Sequence, residues 1–295
     1  MITLGTLGFV GIGAMGQHMI KHIKESANNF LLYDINPEAA QAAAVQVSAT
    51  AVTSLADFES TDVVILMLPN SDIIDEVVHG KDGLLQYMKP GSLIVDMSSS
   101  VPGNTIKNFE MAKAKGIAFI DAPVSGGVKG AKDGTLAIMA GGQDADYNRA
   151  LPLLECMGGK VVHVGNVGAG HALKALNNLL AATTLLATAE VFAVGKKFGL
   201  DPDIMQEVID SSSGSSFQTS KVWQHVTSGK YDFGFAAALM LKDVRIALSL
   251  VDDVKADVDI ARVILDQWEK GVAQTESGAD MTELAKQIYT KNSTQ

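Results

Sequence analysis

Up to about residue 164, short β-rich apolar runs alternate with stretches of helical pattern. The runs at 3–10, 30–34, 62–67, 92–96, 117–121, 135–140 and 161–164 read as strands. Several are apolar throughout, such as Val63-Val64-Ile65-Leu66-Met67. A continuous apolar run suits a strand covered on both faces. The alternation predicts an α/β fold with a doubly wound parallel sheet and right-handed crossovers. Ligands of such sheets lie beyond the carboxyl ends of the strands. The groups to watch therefore follow strands: Gly11 to Gly16, Asp34, Leu68-Pro69-Asn70, Ser98-Ser99 and Pro123 to Gly127.

After residue 170 the strand pattern stops. Residues 171–199 read as one long helix, followed by helical patterns at 202–211, 217–228, 235–254, 257–271 and 279–290. The glycine-rich stretch Gly165-Asn166-Val167-Gly168-Ala169-Gly170 is the natural boundary. The expected layout is an α/β domain over 1–164 and a second, all-helical domain over 165–295. Two domains suit a chain of 295 residues. The wide apolar surface of the long helix is a candidate subunit interface.

The ligand class is written in the first turn. Gly11-Ile12-Gly13-Ala14-Met15-Gly16 follows the apolar run from Ile2 to Val10, and a helix is expected from about Ala14 to Lys24. Gly11 makes the turn, Gly13 admits a pyrophosphate, and Gly16 allows close helix–strand packing. The helix N-terminus offers N–H groups and a positive dipole end to the phosphates. The next apolar run, Phe30-Leu31-Leu32-Tyr33, ends at Asp34, eighteen residues past Gly16. An acid at a spacing of about 20 meets the adenosine ribose diol. It accepts from a 2′-hydroxyl and repels a 2′-phosphate. NAD is therefore preferred over NADP.

Composition narrows the class further. A net charge of −10 from scattered acids argues against nucleic-acid and membrane-surface partners and fits a soluble enzyme. The single Cys156 excludes an internal disulfide, fits a reducing compartment and points to the cytoplasm. It reads as a small buried hydrophobe. The six histidines are dispersed and no HExxH or CxxC occurs, so no metal site is predicted. The N-terminus lacks the basic lead of a signal peptide. No apolar stretch reads as a clean membrane span. The closest, Ala175 to Val194, carries Asn177, Asn178 and Glu190 and is expected to be a buried helix.

Two segments could carry chemistry. Asp121-Ala122-Pro123-Val124-Ser125-Gly126-Gly127 follows a strand, and the N–H groups of Ser125, Gly126 and Gly127 could form a nest for a carboxylate. An ordinary glycine-rich turn is the local alternative. Lys174 lies near the start of the long helix, with Asn177 and Asn178 three and four residues later. The dipole at a helix N-terminus and partial burial both push a lysine pKa down, toward values useful for proton transfer. A solvent-reaching lysine is the bland alternative, and His171, one turn earlier, competes for the acid–base role. Lys242-Asp243 reads as a solvated pair on a helix.

The segments GFVGIGAMG at 8–16, MLPNS at 67–71, DMSS at 96–99, DAPVSGGVKGA at 121–131, GTLAIMAGG at 134–142, GAGHALKALNN at 168–178 and LMLKD at 239–243 come in a telling order. Together they resemble the β-hydroxyacid dehydrogenases, the group containing 3-hydroxyisobutyrate dehydrogenase, tartronate semialdehyde reductase and sulfolactaldehyde reductase. The resemblance implies a Rossmann-type domain followed by an all-helical domain, in homodimers or homotetramers. It implies that Lys174 is the catalytic acid–base residue and that Asn178 orients substrate or lysine. Ser125, Gly126, Gly127 and Asn177 would hold a small carboxylate-bearing substrate. The turn Gly11, Ile12, Gly13, Ala14, Met15 and Gly16, with Asp34, Leu68, Pro69 and Ser99, would line NAD, and Lys242 would close over it. Ser99 stands where many members have threonine, Val258-Asp259 replaces a proline-containing turn, and Ser211 to Gln218 is individual. The expected reaction is hydride transfer between NAD(H) and a β-hydroxyacid or short semialdehyde. A catalytically silent dinucleotide sensor is the alternative from another class. Imine reductases generally lack the lysine, and 6-phosphogluconate dehydrogenase has a much longer helical domain.

Overall fold

The computed structural model describes residues 4–291. The chain divides into two compact units, Met1–Lys174 and Ala175–Gln295.

The first unit holds nine strands in one sheet: β1 (Leu4–Val10), β2 (Ala27–Tyr33), β3 (Thr50–Ala51), β4 (Val63–Leu66), β5 (Leu93–Asp96), β6 (Ala118–Asp121), β7 (Val124–Ser125), β8 (Leu136–Gly141) and β9 (Gly158–Gly165). The order is β3-β2-β1-β4-β5-β6-β8-β7, with β9 also on β8. Helices α1 (Gly16–Ile23), α2 (Pro37–Val47), α3 (Ser71–His79), α4 (Pro102–Ala114), α5 (Gly127–Asp133) and α6 (Asp144–Met157) connect them. The expected doubly wound architecture is present. The strand order reverses between β1 and β4, which opens a crevice at their carboxyl ends.

The continuous apolar runs do what their composition predicts. Val63 and Ile65 of β4 pack into one core cluster, and Val64 and Leu66 into another. Leu93 and Val95 of β5 divide from Ile94 in the same way. Period-two alternation thus feeds two apolar layers, one on each face of the sheet. Helix α1 buries Gly16, Met19, Ile20 and Ile23, an i, i+3, i+4, i+7 stripe. Its first helical residue is Gly16, two residues later than expected. Asn36 caps α2 by accepting from the N–H groups of Glu38 and Ala39, and Asn70 caps α3 through that of Ile73.

Three expectations need correction here. The sheet is not parallel throughout: β8 runs antiparallel to β6 and β7. A parallel return needs a crossover of a dozen or more residues that carries the chain back to the amino edge. Here β7 extends the path of the chain past β6, and seven-residue α5 spans only about 10 Å. Strands β3 and β7 have two residues each, too few for periodicity to register. Cys156 is exposed rather than buried. Helix α6 buries Ala150, Leu153, Leu154 and Met157, and Cys156 falls off that stripe, its thiol donating to the Pro152 carbonyl.

Helix α7 (Ala169–Phe198) begins in the first unit and continues into the second. The compact division falls at 174/175, later than the 164/165 boundary expected from the glycines. The first turn of α7 is hydrogen-bonded to Asp121 and belongs with the sheet. By length and composition α7 could cross a membrane, which corrects the sequence expectation of no such span. Half of its most apolar window is buried inside the protein. Ala182, Leu185, Leu186, Ala189, Phe192 and Ala193 are among its core positions.

The second unit adds α8 (Pro202–Asp210), α9 (Trp223–Thr227), α10 (Ala237–Asp253), α11 (Asp259–Val272) and α12 (Thr282–Lys291). Trp223 is fully buried, with Phe192 at 4.6 Å and Tyr289 at 5.4 Å between ring centroids. Where one helix was expected over 217–228, a π-helical turn at Gln218–Val222 precedes α9. The hydroxyls of Ser216 and Thr219 bond each other's backbone N–H there, and such side chains compete with regular helix bonding.

Candidate active site

The carboxyl edge of the first unit's sheet is knitted by continuations of the strand ladders. Gly11 N–H donates to the Tyr33 carbonyl, Met67 N–H to Val10 and Met97 N–H to Leu66. Gly11 has φ +101°, and a Cβ on it would lie 2.3 Å from the Met67 carbonyl oxygen. A Cβ on Gly16 would lie 2.0 Å from the Gly11 carbonyl oxygen, so α1 rests directly on the turn. Gly13 is different: it is exposed, and no neighbouring atom comes within 4 Å of its Cβ position. That open space is where a pyrophosphate approaches in a turn of this kind. Ala14 beside it is exposed and Met15 half-buried.

Asp34 follows β2 as expected, and its carboxylate is already engaged. Oδ2 accepts from the Ile12 N–H at 2.7 Å and Oδ1 from the Asn36 N–H at 2.8 Å. The half-buried side chain thus braces the glycine turn. Each carboxylate oxygen still has capacity for a ribose hydroxyl. The loops after β4 and β5 are joined by the Leu68 N–H, which donates to Ser98 Oγ at 2.9 Å. Pro69 is exposed and Ser99 half-buried at this edge. These residues fit a bound dinucleotide. Among the described residues no cluster of three or more His, Cys, Asp or Glu suits a metal ion.

Ser125 ends β7, and the chain turns at Gly126 and Gly127 with φ of +130° and +61°. Both φ values lie where L side chains rarely go, so glycine is required at this turn, which leads straight into α5.

Lys174 is buried, at 8 % exposure, so the solvent-reaching alternative does not hold. His171, the competing acid–base candidate, is buried with both ring nitrogens engaged: Nδ1 with Thr105 Oγ1 at 2.7 Å, and Nε2 donating to the Ser98 carbonyl at 3.1 Å. Asp121 lies beneath it, its carboxyl pushed up by burial and by neighbouring Asp96. The His171 ring and the Gly168 and His171 N–H groups oppose that shift.

Asn178 follows Lys174 by one helical turn and is buried. In the second unit its Nδ2 donates to Asp243 Oδ2 at 2.5 Å, and Asn177, exposed, donates to Asn178 Oδ1 at 3.1 Å. The reading of Lys242-Asp243 as a solvated pair is corrected. Asp243 is 2 % exposed, and Lys242 Nζ lies 3.3 Å from its Oδ1. Asp243 belongs to the buried, inward stripe of α10 with Met240, Val244 and Ala247, so the carboxylate is withdrawn from water while Lys242 stays partly exposed. Asp243 and Asp121 are the functional candidates missed as individuals. The signal available for each was an acid within an apolar run.

Comparisons agree with this geometry. Residues 6–165 match a family model described as the NAD binding domain of 6-phosphogluconate dehydrogenase. Residues 168–288 match one described as NAD-binding of NADP-dependent 3-hydroxyisobutyrate dehydrogenase. The chain is 35 % identical to 2-(hydroxymethyl)glutarate dehydrogenase of Eubacterium barkeri over 95 % of its own length and 93 % of that protein. It is also 35 % identical to 3-hydroxyisobutyrate dehydrogenase of Pseudomonas aeruginosa, over 95 % and 97 % of the two chains. The solved structure of Mycobacterium tuberculosis 3-hydroxyisobutyrate dehydrogenase with L-serine superposes with a TM-score of 0.90 at 30 % identity, covering 97 % and 99 %. With both halves matched in sequence order and nearly the whole length shared, the chain belongs to the β-hydroxyacid dehydrogenases, NAD(P)-linked oxidoreductases that act on CH–OH groups.

Proposed function

We propose that this dehydrogenase interconverts a small β-hydroxyacid of the 3-hydroxyisobutyrate kind and its semialdehyde, with NAD as the cofactor. When bound, the nicotinamide supplies or accepts the hydride at its C4. Lys174 Nζ gives a proton to the carbonyl oxygen in reduction and takes it back from the hydroxyl in oxidation. Asn178, tied to Asp243, holds its amide for substrate or lysine. Ser125, Gly126 and Gly127 receive the substrate carboxylate and fix its orientation, with Asn177 as a further donor. Leu68, Pro69 and Ser99 line the dinucleotide.

The observation that carries this reading is the burial of Lys174 one turn beyond a helix start hydrogen-bonded to the sheet's carboxyl edge. An amine withdrawn from water at that edge is suited to proton transfer and costly otherwise. Asp34 supports the choice of NAD, since a 2′-phosphate would meet a carboxylate whose two oxygens are held by backbone N–H groups. The test is oxidation of NADH and of NADPH with a panel of short semialdehyde acids. The panel includes those derived from 3-hydroxyisobutyrate and 2-(hydroxymethyl)glutarate. We expect turnover with at least one, and kcat/KM about tenfold or more higher with NADH, a difference of about 1.4 kcal/mol. A preference for NADPH overturns the role of Asp34.

The working form is proposed to be a homo-oligomer. Helix α7 exposes Leu180, Val191, Val194 and Phe198, the last at 83 %, which is apolar area of the kind a second copy covers. Sedimentation at micromolar concentration should give a dimer or tetramer. A monomer there removes this part of the reading.

A further inference from the structure

Helix α7 begins at Gly168-Ala169 and has no side chain of its own at the cap position. A capping box normally satisfies two N–H groups there, that of the cap residue and that of the third helical residue. Both are satisfied by one carboxylate from 47 residues away. Asp121 Oδ1 accepts from the Gly168 N–H at 2.7 Å, and Oδ2 from the His171 N–H at 2.8 Å.

The surroundings are shaped around that carboxylate. A Cβ on Gly141 would lie 2.7 Å from Asp121 Oδ1. One on Gly170 would lie 2.8 Å from Oδ2 and 2.3 Å from the Met139 carbonyl oxygen. The helix start therefore seats on the end of β8 with no side chain between. The His171 ring then ties the same turn to α4 through Thr105 and to the loop after β5 through Ser98. Lys174 stands three residues beyond His171.

We propose that Asp121 is a positioning residue: from the end of β6 it caps the long helix at Gly168 and His171, and with His171 locked by Thr105 and Ser98 it fixes where Lys174 presents its amine. This rests on the reading of Lys174 as the proton donor and acceptor. A helix advances 1.5 Å and turns about 100° per residue, so a small slip at the cap moves the amine substantially. A misplacement of about 1 Å costs about 10² in rate.

Three substitutions at two positions test this in the full-length protein. Asp121→Asn keeps the volume but turns an NH₂ donor toward a backbone N–H. Thr105→Val removes the hydroxyl that holds His171, and Thr105→Ser returns it. Backbone amide exchange over 168–174 is measured alongside kcat and the KM for NADH. Asp121→Asn should speed exchange there and lower kcat by about 10²-fold, with KM for NADH changed less than about twofold. Thr105→Val should lower kcat by about tenfold, and Thr105→Ser should restore most of it. If faster exchange leaves kcat unchanged, the cap is only structural and the proposal fails. Unchanged exchange in Asp121→Asn overturns it too. Should Asp121→Asn not fold, the Thr105 pair decides: a loss rescued by serine supports the proposal, and no loss or no rescue overturns it. Retained turnover in a Lys174→Ala control would sink the lysine's role instead, while amide exchange still reports on the cap.

Discussion

Replacing Lys174 with alanine is expected to cut turnover by about 10² to 10⁴-fold, the range that a positioned acid–base group contributes. Binding of NADH, followed by its fluorescence, should stay within about a factor of two. The separation follows from where the residues sit. The glycine turn and Asp34 belong to the loops after β1 and β2, whereas Lys174 is on a helix that starts after β9. Removing a buried amine leaves a small cavity on α7, a segment of the chain separate from the turn. Losses in kcat and in kcat/KM should be equal if the lysine acts only as the transition state forms. Near-normal turnover in a folded Lys174→Ala protein would remove the proposed proton transfer, whatever the dinucleotide affinity.

The second large effect is expected in the glycine turn, and two neighbouring glycines should respond differently. Gly16→Val drives a side chain onto the Gly11 carbonyl oxygen, 2.0 Å from the new Cβ, and against the Phe9 ring at 3.1 Å. Helix α1 must lift from β1, at a cost of about 1–3 kcal/mol in stability. NADH affinity should fall by about 100-fold or more, because the phosphate-facing N–H groups move with the helix. Gly13→Ala meets no atom of the protein within 4 Å and should melt like the parent chain. It should nevertheless weaken NADH binding, since its methyl occupies the pyrophosphate's approach. Thermal melts and fluorescence titrations of both variants read the two effects separately. Unimpaired binding in Gly13→Ala would show that the phosphates lie elsewhere.

Much of this molecule is legible along the chain because the relevant signals are local. The apolar run Val63 to Leu66 specifies a strand covered on both faces, and its alternate residues do enter two cores. The spacing of Gly11, Gly13 and Gly16 specifies a turn whose reasons are steric and short-range, as the contacts of Gly11 and Gly16 show. Lys174 and Asn178 stand one turn apart, so their shared helix face was legible, whereas its burial was not, since the leucines at 173, 176 and 180 are the exposed positions instead.

The partners of the polar groups were not legible. Asp243 looked like half of a solvated pair, because nothing local says that α10 turns it inward toward Asn178, 65 residues away. His171 looked like a candidate base until its ring was seen held by Thr105 and Ser98, 66 and 73 residues distant. The antiparallel entry of β8 depended on α5 being too short to carry the chain back, which its glycine-rich sequence does not reveal.

By itself, then, the sequence determined the element types, the dinucleotide turn and the acid–base candidate, since these rest on periodicity and sterics within a few residues. Only the tertiary structure decided which buried charges meet. Desolvation compels each such group to find a partner, but the partner comes from whichever distant strand or helix the fold brings alongside.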